Sequence, residues 1–237
     1  MNPPDVRTLV FDVFGTVVDW RSSVIAQGRA LGADKALEVD WDAFVDDWKA
    51  AYRPGMDKVN SGEWPWMKVA QIYRRALDLL LEKYGVTGLS EAETSNFTDA
   101  WCRLDPWPDS VAGLTRLKRK YVLCTLSNGD FACLVGMAKH AGLPWDCVLT
   151  AENFRRYKPE AAVYQGAIDL LGGRPQDIML VAAHNYDLAA AASYGMRTAF
   201  IPRPAEYGGG QTTDLGPEGD WDVVARDMED LADRLGA

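Results

Sequence analysis

The chain has 237 residues, long for one simple domain and short for two independent ones. Hydrophobic residues make up 48% and charged residues 25%, a globular balance able to bury a sizeable core. The net charge of -9 argues against nucleic acid and anionic membrane surfaces as partners, but leaves small anions free to enter a pocket with positive charges of its own. In chain order, residues 6–13 form a short apolar run rich in β-branched residues that ends at Gly15-Thr16, the pattern of a buried strand. From 22 to 101 the periodicity is helical and no strand pattern emerges. Trp41, Phe44, Val45 and Trp48 show one helical set; Val69, Ile72, Tyr73, Ala76, Leu77, Leu80 and Leu81 show another. Asp40 and Ser90 are the expected N-caps, Ser90 with Glu93 as a capping box. After Pro106-Trp107-Pro108 the pattern alternates: helix 111–117, strand 121–126, helix 131–141, strand 147–150, helix 160–171, strand 178–183, helix 187–194 and strand 198–201, with a last helix over 223–235.

Strands alternating with helices predict an α/β fold with a Rossmann-like, doubly wound parallel sheet. The helical block follows the first strand and reads as an inserted helical cap domain. Residues 1–18 and 102–237 are thus assigned to the core and 19–101 to the cap. In such sheets ligands bind beyond the carboxyl ends of the strands. Those ends carry Asp12, then Thr125, Ser127 and Asn128, then His184, Asn185 and Asp187, with Lys158 in the loop after the 147–150 strand. Singly, most have a plainer reading. Ser127-Asn128-Gly129-Asp130 is a loop-and-cap signal, Lys158-Pro159 a solvated lysine before a helix, and Asp187 an N-cap. Asp12 is the exception, because aspartate is depleted in strands and costly to bury without partners. Together, a nucleophile, a hydroxyl–amide pair, a lysine and a second aspartate at successive strand ends favour catalysis. The start, Met1-Asn2-Pro3-Pro4-Asp5, has neither a basic n-region nor an apolar h-region, and no stretch is long and apolar enough to span a membrane, so a cytoplasmic protein is expected. Cys102, Cys124, Cys133 and Cys147 show no CxxC spacing and read as buried reduced thiols.

Four segments carry a family resemblance. Phe11-Asp12-Val13-Phe14-Gly15-Thr16-Val17-Val18-Asp19 resembles the first motif of the haloacid dehalogenase superfamily, and Leu126-Ser127-Asn128-Gly129 the second. Lys158-Pro159-Glu160, followed by Val163-Tyr164, resembles the third, and Val181-Ala182-Ala183-His184-Asn185-Tyr186-Asp187 the fourth. They occur in the right order over essentially the whole chain. Trp48, Tyr52, Pro54, Met56, Gly62 and Pro65-Trp66 are similar to the cap of the type II 2-haloacid dehalogenases. Phosphatases of the superfamily carry a second aspartate two positions after the nucleophile; here that position is Phe14. A phenyl ring cannot act as a general acid, but it makes an apolar wall suited to a carbon electrophile. The resemblance therefore implies an (S)-2-haloacid dehalogenase acting on small haloacids through an Asp12 ester, with no cofactor, no metal and a homodimeric state. A phosphomonoesterase of the same fold and a non-catalytic binding protein are the alternatives.

On that resemblance Asp12 is the nucleophile, Lys158 holds it ionised, and Asp187 is the candidate base for ester hydrolysis. Thr16 and Tyr164 support the aspartate and the lysine. Ser127 and nearby backbone amides hold the substrate carboxylate, and Asn128 with a cap cation receives the halide. Val13, Phe14, His184 and Asn185 complete the substrate-binding set. The better-known fourth motif reads Ser-x-Asn-x-Trp-Asp, whereas the matching positions here are Ala182, His184, Tyr186 and Asp187, so water positioning must differ. The cap arginine that cradles halide is replaced by Lys49, with Arg53 one helical turn on. A compact ammonium is expected to favour small, hard leaving groups, fluoride among them. Of the cap aromatics Trp48, Tyr52, Trp64 and Trp66, most are expected to pack the cap's own core.

Overall fold

The computed structural model describes residues 5–237; residues 1–4, read above for a leader, lie outside them. Strand β1 (Thr8–Phe11) leads through the Asp12–Val17 turn to a two-residue strand β2 (Val18–Asp19). Five helices follow: α1 (Trp20–Lys35), α2 (Trp41–Ala50), α3 (Tyr52–Asn60), α4 (Val69–Lys83) and α5 (Glu91–Thr98). A 3-10 turn (Asp99–Cys102) leads into β3 (Asp105–Pro106), which pairs antiparallel with β2. The alternating part then runs α6 (Ser110–Leu117), β4 (Val122–Ser127), α7 (Phe131–Ala141), β5 (Cys147–Thr150), α8 (Ala151–Phe154) and α9 (Ala161–Leu171). It closes with β6 (Ile178–Ala182), α10 (Asn185–Ser193), β7 (Arg197–Phe200), β8 (Val223–Val224) and α11 (Met228–Leu235).

The main sheet has six strands in the order β5-β4-β1-β6-β7-β8, every pair parallel. Strand β1 is central, which is why Leu9, Val10 and Phe11 are apolar on both faces. Its neighbours β4 and β6 end level with it, so the segments after all three strands meet at one sheet edge. The Asp40 and Ser90 caps form as expected: Asp40 accepts from Ala43 N–H, and Ser90 exchanges hydrogen bonds with Glu93. The five-helix block is held to the sheet side by specific bonds. Asp130 accepts from the N–H groups of Val69 and Ala70, both at 3.0 Å, satisfying the open N-terminus of α4. Asn60 donates to Tyr157 O at 3.0 Å and accepts from Tyr157 N–H at 2.9 Å.

Two expectations change. The tail is not one helix from 223: Val223–Val224 joins the sheet beside β7, and α11 starts at Met228 behind its N-cap Asp227. The helical spacing of Met228, Leu231, Ala232 and Leu235 is real, but it does not reach back through 223–227. The cysteines are not four reduced thiols. Cys102 and Cys133 form a disulfide between the 3-10 turn and α7, across 31 residues of sequence, with their Cα atoms 4.8 Å apart. Local spacing could not show that pair, since packing of α7 on the turn brings it together. Cys124 is a buried free thiol and Cys147 a half-buried one.

Candidate active site

Asp12 directly follows β1, its N–H bonded to Val181 O at 3.1 Å. The turn behind it is braced from several sides. Trp107 Nε1–H donates to Gly15 O at 2.8 Å and Arg203 Nε–H to Thr16 O at 2.9 Å. Gly15 has φ 85° and lies against the Glu206 carboxylate, where a β-carbon would collide, so this position needs glycine twice over. Thr16 donates its hydroxyl to Asp12 Oδ2 at 2.8 Å and accepts from Ala183 N–H at 2.9 Å.

Three donors converge on the Asp12 carboxylate. Besides Thr16, Lys158 Nζ donates to Oδ1 at 2.9 Å and His184 Nδ1 lies 2.9 Å from Oδ2. Burial alone would raise this carboxyl, but Lys158 and His184 overcome it and hold Asp12 far below the ordinary carboxylate range. Lys158 is 1% exposed and also donates to Asp187 Oδ2, while Tyr164 donates to Asp187 Oδ1 at 2.6 Å. Burial would discharge the lysine; Asp12 and Asp187 keep it charged. The second nitrogen of His184, Nε2, meets Glu206 Oε2 at 3.0 Å, and Glu206 Oε1 accepts from Trp20 Nε1–H at 2.8 Å. Burial works against a charged imidazole, yet Glu206 on one side and Asp12 on the other raise His184 to about 10. His184 is therefore an imidazolium at neutral pH, and both ring nitrogens donate. Glu206 is pulled below its ordinary value despite burial, by His184 and Lys49.

A cavity of about 780 Å³ opens over these groups. Of the residues singled out in the sequence, Asp12, Phe14, Lys49, Tyr52, Arg53, Met56, Ser127, Asn128, His184 and Tyr186 line it. Asn128 accepts from Lys158 N–H at 2.8 Å, leaving its amide N–H2 toward the cavity side; Ser127 Oγ accepts from Gly129 N–H at 3.1 Å, leaving its own hydroxyl proton free to donate. Lys49 Nζ sits 4.6 Å from the Tyr52 ring and 5.0 Å from Trp20. Desolvation under those rings lowers its pKa, against the pull of Glu206 and Asp12. Arg53 is exposed, bonded to Asp57 at 2.8 Å, and lies over Tyr186. Thr16, Lys158, Tyr164 and Asp187 stand behind the cavity wall, holding Asp12 and one another. Val13 is wholly buried in the apolar core.

Asn185 is not at the cavity. Its amide donates to Asp214 Oδ1 and Gly216 O, and its Oδ1 accepts from Glu218 N–H and Trp221 Nε1–H, so all its capacity goes to fixing the 214–221 loop. Trp48 lies in the interior of the five-helix block, and Trp64 and Trp66 are half-buried outside the cavity; Tyr52 is the one of those four aromatics that lines it. Sequence reasoning missed Trp20, Tyr207 and Glu206. Glu206 lies in an irregular turn after β7 with no periodic signal, and only its burial at 1% exposure marks it out.

A family model described as haloacid dehalogenase-like hydrolase matches residues 6–195. The chain belongs to the haloacid dehalogenase-like hydrolases. A solved L-2-haloacid dehalogenase is 48% identical, with a TM-score of 0.95 over 98% of this chain and 99% of that one. A solved defluorinating L-2-haloacid dehalogenase is 43% identical, with a TM-score of 0.96 over 100% of this chain and 99% of that one. Among curated relatives, (S)-2-haloacid dehalogenase 4A of Burkholderia cepacia is 29% identical across 85% of this chain and 87% of its own. In this hydrolase the six-stranded sheet and the fourfold motif order thus agree with the sequence resemblance. No helix among the described residues is long and apolar enough to cross a membrane.

Proposed function

We propose that this haloacid dehalogenase-like hydrolase is an (S)-2-haloacid dehalogenase, converting small 2-haloalkanoic acids to 2-hydroxy acids with inversion. The observation that carries the reading is the Asp12 carboxylate, held ionised by three donors at a cavity whose adjacent wall is the Phe14 ring. A desolvated carboxylate fixed in line with a carbon–halogen bond is a competent nucleophile. Asp12 attacks C2, the carbon–halogen bond breaks, and its electron pair leaves with the halide. The product is an Asp12 ester, which water then cleaves at the carboxyl carbon of Asp12. A halide needs no proton to leave, which fits a phenyl ring at the position where a phosphatase keeps its acid.

The substrate carboxylate is taken by Ser127 Oγ–H and neighbouring N–H groups, and the halide by Lys49 and the Asn128 amide. Lys158 is the charge partner of Asp12, Thr16 fixes its second oxygen, and Asp187, itself held by the Tyr164 hydroxyl, fixes Lys158. The helical segment 19–101 is the cap and the remainder the core. A homodimer and a cytoplasmic location remain part of the reading as expectations.

The test is halide release from (S)-2-chloropropionate, with single turnover in heavy-oxygen water. Label should enter Asp12 before it enters product, and Asp12→Asn should lower turnover by at least on the order of 10⁴-fold while leaving the fold intact. Labelled product with an unlabelled Asp12 would show direct attack by water and sink the ester mechanism. Activity lost in chelator and restored by magnesium, on a phosphate ester rather than a haloacid, would return the phosphatase reading.

A further inference from the structure

Ester cleavage needs a base beside the Asp12 carboxyl carbon, and the resident carboxylate is badly placed for it. Asp187 is wholly buried, does not line the cavity, and has both oxygens occupied, one by Lys158 and one by Tyr164. Lys158 itself stands between Asp187 and Asp12. His184 is the opposite case. Its ring lines the cavity with 13% of the side chain exposed, Nδ1 lies 2.9 Å from the reacting carboxylate, and Nε2 is anchored on Glu206. Glu206 in turn is fixed by Trp20 and seated against Gly15. A buried carboxylate orienting one imidazole nitrogen, with the other held against an oxygen of the reacting carboxyl group, is an arrangement suited to general-base catalysis.

We propose that His184, positioned by Glu206, is the general base of the ester-hydrolysis step; the inference rests on the dehalogenase reading above. The charges around the imidazole make it a base only when one is needed. In the resting enzyme Asp12 and Glu206 keep it protonated, so it donates to Asp12 and helps hold the nucleophile ionised. Alkylation turns Asp12 into a neutral ester. His184 then keeps one anionic neighbour, and desolvation now favours the neutral ring. The other groups around the cavity do not replace the lost charge: Lys158, Lys49 and Arg53 are cations, Tyr52, Tyr186 and Tyr207 are neutral phenols, and of the carboxylates Asp46, Asp214 and Glu218 none is hydrogen-bonded to the ring, Asp46 being paired with Arg21 and Asp214 with Asn185. The Nδ1 proton leaves to solvent with the departing halide, while Nε2–H stays on Glu206. A water that donates a hydrogen bond to the freed Nδ1 stands beside the ester group of Asp12, where its oxygen can attack the carboxyl carbon. His184 takes a proton from this water as its oxygen bonds to that carbon. The tetrahedral intermediate collapses, the bond between Asp12 and the substrate oxygen breaks, and His184 returns the proton to the leaving alkoxide. Asp12, regenerated as the acid, loses its proton to solvent beside Lys158, and His184 is recharged.

The experiment uses (S)-2-chloropropionate with wild type, His184→Gln, Glu206→Gln and Asp187→Asn, reading halide bursts by stopped flow and intact protein mass after mixing. The wild type must release halide; if it does not, the dehalogenase reading fails, a result distinct from the failures below. His184→Gln should give one equivalent of halide at a rate within about tenfold of wild type. It should then stall, with turnover down by on the order of 10³-fold and the protein heavier by one carboxyethyl group. Glu206→Gln keeps the imidazole but removes its anion, so the imidazolium of the ester enzyme titrates lower. The acid limb of the hydrolysis step should shift to lower pH, with a slower plateau. A merely structural role for Glu206 would leave that limb where it is, and such a result would overturn the positioning part. The proposal as a whole is overturned by His184→Gln turning over within tenfold of wild type, by its failure to give the first halide, or by ester accumulating in Asp187→Asn and not in His184→Gln.

Discussion

The interior around Asp12 and the interior of the block of helices above it are held together by opposite means. Around Asp12 the interior is ionic: Lys158, Asp187, His184 and Glu206 each meet an opposite charge, and the neutral partners Thr16, Tyr164 and Trp20 take up remaining hydrogen-bonding capacity. Between α2, α4 and α5 it is aromatic. The Trp48 ring lies 5.1 Å from Phe97 and 5.5 Å from Trp101, and Tyr73 stacks on Trp101 at 4.1 Å. The difference teaches what each region tolerates. Apolar packing loses stability in proportion to what is removed, and the rest relaxes around the gap. A buried ionic cluster loses stability for a different reason when one member goes: its former partner is left charged and dry. The sheet edge therefore accepts a poor stability bargain in exchange for a carboxylate poised to react, while the helical block supplies stability and shape.

The sharpest way to break that comparison is Lys158→Met, a near-isosteric loss of charge. Asp12 keeps His184, but Asp187 keeps only the Tyr164 hydroxyl. A stability loss of about 3–5 kcal/mol is expected in chemical denaturation. Halide release should fall by at least on the order of 10³-fold in the fraction that stays folded, since Asp12 loses a cation bonded to one of its oxygens. The loss of stability should shrink in the double variant Lys158→Met with Asp187→Leu, where no orphaned charge remains. An unchanged loss would mean that Lys158 acts by packing.

Phe97→Ala probes the aromatic side. Phe97 is 3% exposed among Trp41, Phe44 and Trp48. The expected loss is about 3 kcal/mol of stability, with halide release per folded molecule near that of the wild type, because no atom of this ring lines the cavity. Equal damage to kcat would show that the aromatic cluster sets the position of the cap groups over Asp12, and the contrast between the two regions would be less clean.

This same contrast explains what was legible in the sequence. Periodicity reports apolar faces, so the strands, the helical block and its Trp41–Trp48 face could be read directly, and α7 and β5 fall on the expected residues. Topology then carried Asp12, Ser127, Asn128 and His184 to one edge, because parallel strands end together. What sequence could not give is pairing between distant polar groups. Glu206 is 22 residues from His184 and 186 from Trp20, in a turn with no pattern of its own. Asn185 sits in a motif, yet its hydrogen bonds go to a loop about thirty residues on rather than to the cavity. Cys102 and Cys133 meet only because α7 packs on the turn that ends the helical block. The two-residue strands β2 and β3 are too short to show any alternation.

Lys49 belongs to both regions, and the last prediction turns on it. Its Nζ lies over the rings of Trp20 at the start of α1 and Tyr52 at the start of α3, while its charge faces Glu206 and Asp12 across the cavity. Arg53, its rival for the halide, is exposed and already paired with Asp57, an ion pair of the kind that contributes about 1 kcal/mol or less. Methionine at 49 keeps the apolar stem and removes the charge, so stability should change by less than about 1 kcal/mol. Halide departure builds negative charge at the leaving atom, so Lys49→Met should slow the displacement step by about 10²-fold. The effect should be larger on fluoroacetate than on chloroacetate, because fluoride concentrates its charge in the smaller ion and draws more from a compact ammonium. Arg53→Met should change either rate by about fivefold or less. The reverse pattern, with Lys49→Met near wild type on both acids and Arg53→Met impaired, would give the halide to Arg53 and leave Lys49 as part of the aromatic packing alone.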